Sequence, residues 1–163
     1  HYTTAPIDGL RFADDTFWDR ATLEARANLV LPTNGDDVLT LTEGDDAIDA
    51  LAGNDTVDGR GGNDLIVGGA GIDSLSGGEG NDAFLFGTET RNGRRETDRI
   101  TDYEVGQDII AFADGVTVTA LRNIAGGVQI TFGGDGDRVQ VFGDDLTTAT
   151  IRIFADDAIP TLL

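Results

Sequence analysis

The stretch of sequence that decides the fold is a run of three consecutive nonapeptides between residues 59 and 85. They read Gly59-Arg60-Gly61-Gly62-Asn63-Asp64-Leu65-Ile66-Val67, Gly68-Gly69-Ala70-Gly71-Ile72-Asp73-Ser74-Leu75-Ser76 and Gly77-Gly78-Glu79-Gly80-Asn81-Asp82-Ala83-Phe84-Leu85. With three earlier copies, a glycine recurs every nine residues, followed two residues later by Asp and four residues later by an apolar residue. The glycines are Gly35, Gly44, Gly53, Gly62, Gly71 and Gly80, the aspartates are Asp37, Asp46, Asp55, Asp64, Asp73 and Asp82, and the apolar residues are Leu39, Ile48, Val57, Ile66, Leu75 and Phe84. A fixed period over six copies predicts a stacked repeat rather than an ordinary globular core.

Each position of the repeat has a physical role. Glycine permits a tight turn, where backbone carbonyls and a short carboxylate converge. The apolar residue sits in a strand of about three residues, which is stable only when it is buried against the same position of its neighbours. Two nonapeptides therefore make one coil, and alternate turns lie on opposite edges. The expected edges are Asp37, Asp55 and Asp73 on one side and Asp46, Asp64 and Asp82 on the other.

The charges of these turns call for a cation. Successive turns on one edge are expected roughly 5 Å apart, close enough for their carboxylates to repel. Carboxylate and carbonyl oxygens in a flexible cage suit Ca²⁺ better than Mg²⁺. The chain has no Cys and its single His is His1, so zinc, copper and iron lack their usual ligands.

These nonapeptides resemble the repeat of the RTX (repeat-in-toxin) family, whose consensus is G-G-x-G-x-D-x-U-x with U apolar. An isolated Gly-Asn-Asp run would be an ordinary turn, but six copies in phase favour the calcium interpretation. The resemblance implies an all-β fold, a right-handed parallel β-roll of about three coils. It also implies about four or more Ca²⁺ ions, held between turns n and n+2 by Asp carboxylates and backbone carbonyls. The implied pairs are Asp37 with Asp55, Asp55 with Asp73, Asp46 with Asp64, and Asp64 with Asp82.

The first copies depart from this consensus. Leu41-Thr42 and Ala50-Leu51 stand where the paired glycines are expected. We therefore expect the sites that involve Asp37 and Asp46 to be weak or empty.

Composition agrees with calcium-coupled folding. The 163 residues carry 30 acids against 11 bases, all of them Arg, for a formal net charge of −19. This charge opposes compaction and argues against nucleic acid or an anionic membrane as a partner. Four Ca²⁺ ions would reduce the net charge from −19 to about −11. We expect an expanded chain without calcium and a compact chain with it.

The sequence also bears on localisation. No hydrophobic run is long enough for a membrane span. The RTX resemblance implies type I secretion from a Gram-negative bacterium, and therefore a secreted or cell-surface protein. Because the chain starts at His1 and contains no Met, we expect it to be a fragment of a longer precursor. The last stretch, residues 154–163, is either a C-terminal secretion signal or a last strand with a frayed end.

Three regions are expected along the chain. Residues 1–33 lack the period and include a predicted helix from Phe17 to Ala27, with Thr16 as its N-cap. This region is either an N-terminal helical cap on the open end of the roll or the end of, or linker from, a preceding catalytic domain. Residues 34–87 form the roll. Residues 88–163 form a C-terminal antiparallel β cap, with a hairpin of residues 127–132 and 138–142 around a Gly-rich turn.

One segment of the last region carries a second resemblance. Residues 98–110, from Asp98 to Ile110, resemble the D-x-I-x-D-F-x-x-G-x-D-x-I segment that follows the roll in serralysin-type proteases and mannuronan epimerase modules. Tyr103 replaces the usual Phe. By this resemblance, Asp98 or Asp102 closes a last calcium site with Asp73; the alternative is that they are plain acids at a strand edge.

A cluster of bases interrupts the acidic chain at Arg91, Arg94, Arg95 and Arg99. These arginines either contact an acidic polysaccharide, as the epimerase resemblance suggests, or neutralise nearby acids and remain solvated. No pair of His ligands, Cys nucleophile or Gly-x-Ser-x-Gly elbow is present. We predict a non-catalytic calcium-binding module that folds after secretion and stabilises or presents a larger extracellular protein, with any catalytic domain upstream. The alternative is a carbohydrate-binding or adhesive module.

Overall fold

The computed structural model describes residues 9–11, 17–19, 31–87, 94–113, 115–134 and 136–155, and every helix or strand in these ranges is a β-strand. The strands are β1 (Gly9–Arg11), β2 (Phe17–Asp19), β3 (Val38–Thr40), β4 (Ala47–Asp49), β5 (Thr56–Asp58), β6 (Leu65–Val67), β7 (Ser74–Ser76), β8 (Ala83–Phe86), β9 (Thr97–Ile100), β10 (Ile109–Phe112), β11 (Val118–Ile124), β12 (Gly127–Phe132), β13 (Asp137–Phe142) and β14 (Ile153–Ala155). Within the described residues there is no helix of the length and apolar character that crossing a bilayer requires.

The first compact unit comprises residues 1–31. Its described residues form an antiparallel pair, β1 with β2, in which Leu10 lies opposite Trp18. The predicted helix is therefore wrong at its start, because Phe17 begins a strand. Aromatic residues such as Phe17 and Trp18 favour strands, and pairing with the preceding strand β1 overrides weak helix propensity. The rest of the predicted helix, residues 20–27, lies outside the described residues.

The second compact unit comprises residues 32–163 and contains two sheets. The six repeat strands alternate between them: β3, β5 and β7 pair in parallel in a seven-stranded sheet, while β4, β6 and β8 pair in parallel in a five-stranded sheet. Partners are eighteen residues apart, as Val38 and Thr56 are. The predicted parallel β-roll, with two nonapeptides per coil, is confirmed.

The apolar position of the repeat builds the core. In the seven-stranded sheet the register stacks one row of side chains, and each of them is at most 1% exposed: Leu39, Val57, Leu75, Ile100, Val141 and Val128. In the five-stranded sheet the corresponding row is Ile48, Ile66, Phe84, Ile110 and Ile153. Both rows belong to one hydrophobic core. Strands of three residues are stable here because each buries its central side chain against the next coil.

The repeated glycine allows the coils to stack closely. Gly71 and Gly80 have φ of 135° and 140°, in the region that side chains disfavour. A Cβ at Gly71 would collide with the carbonyl oxygen of Gly53, and one at Gly80 with that of Gly62. A larger residue at either position would force two coils apart.

The region after the repeats continues the roll as well as capping it. The strands β9 and β13 extend the seven-stranded sheet in parallel, and β10 and β14 extend the five-stranded sheet in parallel. The predicted antiparallel part is present as the β12–β13 hairpin and the β11–β12 pair. The predicted antiparallel cap is therefore present, together with parallel strands that the sequence did not predict. Irregular segments that carry Asp-x-apolar runs still enter the register of the roll, because their apolar residues fill the same two rows.

The stacked rows predict a large effect of truncation in the core. Leu75→Ala should lower the free energy of unfolding by about 2–5 kcal/mol, because Leu75 is 0% exposed and contacts both neighbouring coils. The matched control is Val38→Ala, at a 73% exposed position, with an expected change within about 0.5 kcal/mol. Both are measured by denaturant unfolding in saturating calcium. Equal effects of the two substitutions would contradict the stacked-row account.

Candidate metal sites

The repeat aspartates form two rows that follow the two sheets. Asp37, Asp55 and Asp73 directly precede β3, β5 and β7. Asp98 takes the equivalent place in β9, because Arg99 pairs with Ser74. We call this row, Asp37, Asp55, Asp73 and Asp98, the first Asp ladder. Asp46, Asp64, Asp82 and Asp108 precede β4, β6, β8 and β10 and form the second Asp ladder.

Within each ladder, the backbone N–H of one aspartate donates to Oδ1 of the aspartate in the next coil. In the first ladder these N···O distances are 2.8 Å from Asp37 to Asp55, 2.8 Å from Asp55 to Asp73 and 3.0 Å from Asp73 to Asp98. In the second ladder they are 2.9 Å from Asp46 to Asp64, 2.9 Å from Asp64 to Asp82 and 3.0 Å from Asp82 to Asp108. The structure thus brings together all four predicted Asp pairs. In each pair, a hydrogen bond fixes one carboxylate oxygen of the aspartate that comes later in the chain.

The second carboxylate oxygen is different. Oδ2 of Asp55, Asp64 and Asp82 is buried and accepts no hydrogen bond. These three side chains are 1–2% exposed. A buried carboxylate oxygen without a donor is costly, so each of these atoms requires a partner that protein groups do not supply.

Small spaces lined by oxygen lie beside these atoms. A Cβ on Gly59 would lie 2.5 Å from Asp64 Oδ2 and closer still to the Gly77 carbonyl oxygen, which belongs to the next coil. Gly77 likewise faces Asp82 Oδ2. Calcium–oxygen distances are about 2.3–2.6 Å, so Asp64 Oδ2 and the Gly77 carbonyl oxygen lie close enough together to share one Ca²⁺ ion. This explains why glycine stands five residues before Asp64 and Asp82.

The electrostatics of the ladders point the same way. Burial raises the pKa of Asp64 to about 6, although the N–H of Asp46 opposes the shift, and the charge of Asp82 adds to it. Burial raises the pKa of Asp108 to about 7, against two backbone N–H donors, and the charges of Asp82 and Asp102 add to it. Burial also raises the pKa of Asp55 and of Asp82. The ladders therefore destabilise the ionised form of these carboxyl groups. A divalent cation bound beside them would offset that cost.

In the first two turns, hydrogen-bond donors of the protein already occupy the second carboxylate oxygen of the aspartate. Asp37 Oδ2 accepts hydrogen bonds from Thr33, and Asp46 Oδ2 accepts hydrogen bonds from Thr42. Gly35 and Gly44 do not have the positive φ of Gly53, Gly62, Gly71 and Gly80. At the Ala50-Leu51 departure, Leu51 keeps the left-handed backbone of the later turns, with a φ of 74°, but Ala50 puts a Cβ where the later turns have Gly59 and Gly77.

The acids after the repeats divide into two roles. Asp98 lies in the first ladder beside Asp73, where the resemblance placed a last site. Asp102 does not, because its carboxylate accepts from the Ser76 hydroxyl and from the N–H groups of Gly77 and Gly78. We therefore retain Asp98 and not Asp102 as a candidate ligand.

Sequence reasoning missed Asp108, which is 1% exposed and occupies the last position of the second ladder. It lies 26 residues after Asp82 rather than 18, so the period does not reach it. The signal was local: Asp98-Arg99-Ile100 and Asp108-Ile109-Ile110 repeat the Asp-x-apolar order of the nonapeptides.

The donor set fits a hard cation. Among the described residues, no three His, Cys, Asp or Glu side chains converge on one point. A cation between two coils would therefore be held by carboxylates of the ladder together with backbone carbonyls such as that of Gly77. Ca²⁺ accepts six to eight oxygen ligands in flexible geometry, which this arrangement can provide.

The predicted basic cluster is only partly within the described residues, since Arg91 lies outside them. Arg94, Arg95 and Arg99 are exposed. The guanidinium carbon of Arg99 lies 4.8 Å from the centre of the Phe142 ring, a cation–π contact on the outer face of the seven-stranded sheet.

Comparison with known proteins agrees with this geometry. The model of the RTX calcium-binding nonapeptide repeat matches residues 32–66 and 58–88. The AlgE6R3 subunit of the Azotobacter vinelandii mannuronan C5-epimerase is 31% identical, with a TM-score of 0.55 over 75% of this chain and 80% of that subunit. The chain belongs to the RTX β-roll family. The AlgE6R2 subunit of the same enzyme gives 26% identity and a TM-score of 0.56 over 79% of this RTX module and 94% of that subunit. No curated protein matches the sequence significantly.

Family membership confirms two expectations of the sequence. The module is an RTX β-roll, and it binds calcium through its nonapeptide repeats. The ladder geometry makes Asp55, Asp64, Asp73, Asp82 and Asp98, with backbone carbonyls of the facing turns, the candidate ligands.

Removing one ladder charge should weaken calcium binding. Asp64→Asn keeps an acceptor for the Asp46 N–H but loses the charge of the buried carboxylate, so we expect the calcium affinity to fall about tenfold or more. The control is Asp45→Asn. Asp45 is exposed, and its Oδ1 accepts hydrogen bonds from the backbone N–H and the side-chain amide of Asn63. Asn already stands at the same repeat position in later turns. Isothermal titration calorimetry compares the two. Unchanged affinity in Asp64→Asn would remove Asp64 from the ligand set.

The raised pKa values predict that acid partly replaces calcium. In chelator, Asp64 and Asp108 have folded pKa values of about 6 and 7, above the ordinary value of 3.8. Their protonation stabilises the fold at low pH, and this contribution is lost as the pH rises through 6 and 7. Circular dichroism in chelator should therefore show more β structure at pH 5 than at pH 8. Asp108→Asn should flatten the upper part of that transition; β content that rises with pH would contradict the account.

Proposed function

We propose that this chain is a non-catalytic RTX module that folds when it binds Ca²⁺ outside the cell and that stabilises or presents a larger extracellular protein. The observation that carries the proposal is the set of buried Oδ2 atoms of Asp55, Asp64 and Asp82, which lack hydrogen-bond donors. Without cations, the ladders hold like charges in low dielectric, one coil apart, on a chain of net charge −19. With cations, the same charges crosslink the coils.

Calcium concentration then controls folding. Extracellular calcium modules bind at about 10⁻⁴ to 10⁻³ M, far above cytosolic levels, so the chain would remain expanded inside the cell. An expanded chain is competent for export, and we propose type I secretion from a Gram-negative bacterium followed by folding outside, in secreted or cell-surface form. The epimerase subunits to which the module is similar support a role as one part of a longer protein.

Circular dichroism and calcium titration test the proposal. We expect low β content in chelator at pH 8 and a cooperative gain of β structure between about 10⁻⁴ and 10⁻³ M calcium. Magnesium at the same concentration is the control, because its octahedral preference and reluctant dehydration suit these cages poorly. The same β content in chelator as in millimolar calcium would refute calcium-driven folding.

A second candidate function is recognition of an acidic polysaccharide, and one feature of the seven-stranded sheet favours it. Register pairs Arg99 with Gln140, Gln140 with Gln129, and Gln129 with Arg122, so these four residues lie in one row on one sheet face. Arg122 Nη2 donates to Gln129 Oε1 at 3.2 Å. With strands about 4.8 Å apart, the row spans roughly 14 Å, with a guanidinium at each end to engage carboxylates.

The row makes the polysaccharide candidate testable apart from folding. The double variant Arg99→Ala/Arg122→Ala should weaken binding of a polyuronate about tenfold or more, because each arginine can hold a carboxylate through paired hydrogen bonds. Arg60→Ala is the control, since Arg60 is an exposed arginine of the roll near Glu43. Affinity electrophoresis in calcium measures both. If wild type and the double variant bind equally, or neither binds, the module serves calcium-dependent folding alone.

A further inference from the structure

Two kinds of turn are found among the six repeat turns, and they differ in the residue four positions before the aspartate. In the first two turns this residue is Thr33 or Thr42. Asp37 Oδ2 accepts from Thr33 N at 2.6 Å and from Thr33 Oγ1 at 3.0 Å. Asp46 Oδ2 accepts from Thr42 N at 2.8 Å and from Thr42 Oγ1 at 2.7 Å. We call these the closed turns, because two donors occupy the oxygen that is bare in the later turns.

The threonine hydroxyl also satisfies the turn itself. Thr33 Oγ1 accepts from the N–H of Gly35 at 3.1 Å, and Thr42 Oγ1 accepts from the N–H of Gly44 at 3.2 Å. One hydroxyl thus joins the carboxylate to the backbone of the glycine. This network uses only protein groups and leaves the closed turns complete without a metal.

The later turns lack this network because their backbone takes another path. At the position of the threonine they have Leu51, Arg60 and Gly78, with φ of 74°, 70° and 92°. The left-handed conformation turns the N–H of each away from its own aspartate. Leu51 N donates to Asp49, Arg60 N to Asp58, and Gly78 N to Asp102. Oδ2 of Asp55, Asp64 and Asp82 consequently receives no donor. We call these the open turns.

The identity of this residue decides which kind of turn forms. A β-branched residue is a rare occupant of the left-handed region, so threonine keeps the turn closed. The second Asp ladder is also closed at its far end, where the N–H of Glu104 donates to Asp108 Oδ2 at 2.7 Å. Donors therefore occupy Oδ2 of both terminal aspartates of this ladder, Asp46 and Asp108, and leave Oδ2 of the two inner aspartates without a donor.

We propose that Thr33 and Thr42 take the place of a bound cation, so that the Asp37 and Asp46 carboxylates are not calcium ligands and the ions begin at the open turns. The inference rests on the proposed calcium-dependent folding and specifies where along the roll it acts. The threonines end the metal-bridged part of the roll with a turn on each edge that is held by hydrogen bonds from uncharged donors. Charge neutralisation by calcium is thereby confined to the later turns.

The number of Ca²⁺ ions bound per folded chain tests this, by elemental analysis of protein and dialysate after equilibrium dialysis against millimolar calcium. Asp46→Asn should retain as many ions as wild type, while the matched Asp64→Asn should lose at least one. Circular dichroism in saturating calcium verifies that both variants are folded. Loss of the same number of ions in both variants would overturn the inference. Absence of bound calcium from wild type would instead overturn the proposed function.

A second pair of variants keeps the test independent of the aspartates. Thr42→Val removes the hydroxyl but keeps the β-branched shape, so it should leave the ion number unchanged and lower the melting temperature in saturating calcium by several degrees. Thr42→Ser restores the hydroxyl and should recover most of that loss. If Thr42→Val melts like wild type, the hydroxyl does not support the turn and the inference fails.

Discussion

The burial of stacked carboxylates is the constraint on which the structure depends. Each ladder aspartate except the first of each row uses Oδ1 to accept a backbone N–H of the neighbouring coil, and this bond sets the spacing of the turns. The same geometry leaves Oδ2 of Asp55, Asp64 and Asp82 buried without a donor. A hydrogen-bonded coil and an unsatisfied charge are therefore produced together. Apolar burial holds the coils in register, but the charge of the buried carboxylates must be offset, by a divalent cation or, at low pH, by protonation.

Glycine and left-handed backbone create the space in which that cation fits. At Gly59, a Cβ would collide with both Asp64 Oδ2 and a carbonyl oxygen of the next coil, so this position requires glycine. Leu51 and Arg60 adopt positive φ despite their side chains, at a cost of order 1–2 kcal/mol each. Such strain persists only where its surroundings require it. In the closed turns, threonine avoids the strain and supplies hydrogen bonds instead.

The region after the repeats completes the ladders and the core. Asp98 and Asp108 bring carboxylates to the last coils, and their apolar neighbours Ile100 and Ile110 continue the two rows. The buried Tyr103 ties this region together, because its hydroxyl donates to the Asp108 carbonyl and accepts from the Arg152 N–H. The phenolic oxygen thus gives Tyr103 a role that the usual Phe could not fill. The same region presents the row from Arg99 to Arg122, on which the polysaccharide candidate rests.

The sequence by itself determined the parallel roll, the pairing of aspartates eighteen residues apart and the choice of calcium. Period, turn chemistry and ligand type are local properties that can be determined from the sequence without knowledge of tertiary contacts. Only the tertiary structure decided which carboxylate oxygens are bare, because that depends on the φ of Leu51 and Arg60 and on the donors of Thr33 and Thr42. It also decided between Asp98 and Asp102, and it added Asp108, since irregular connections bring residues into register by packing rather than by spacing. The structure also decided the strand at Phe17, because strand pairing with Arg11 outweighs a weak helical pattern.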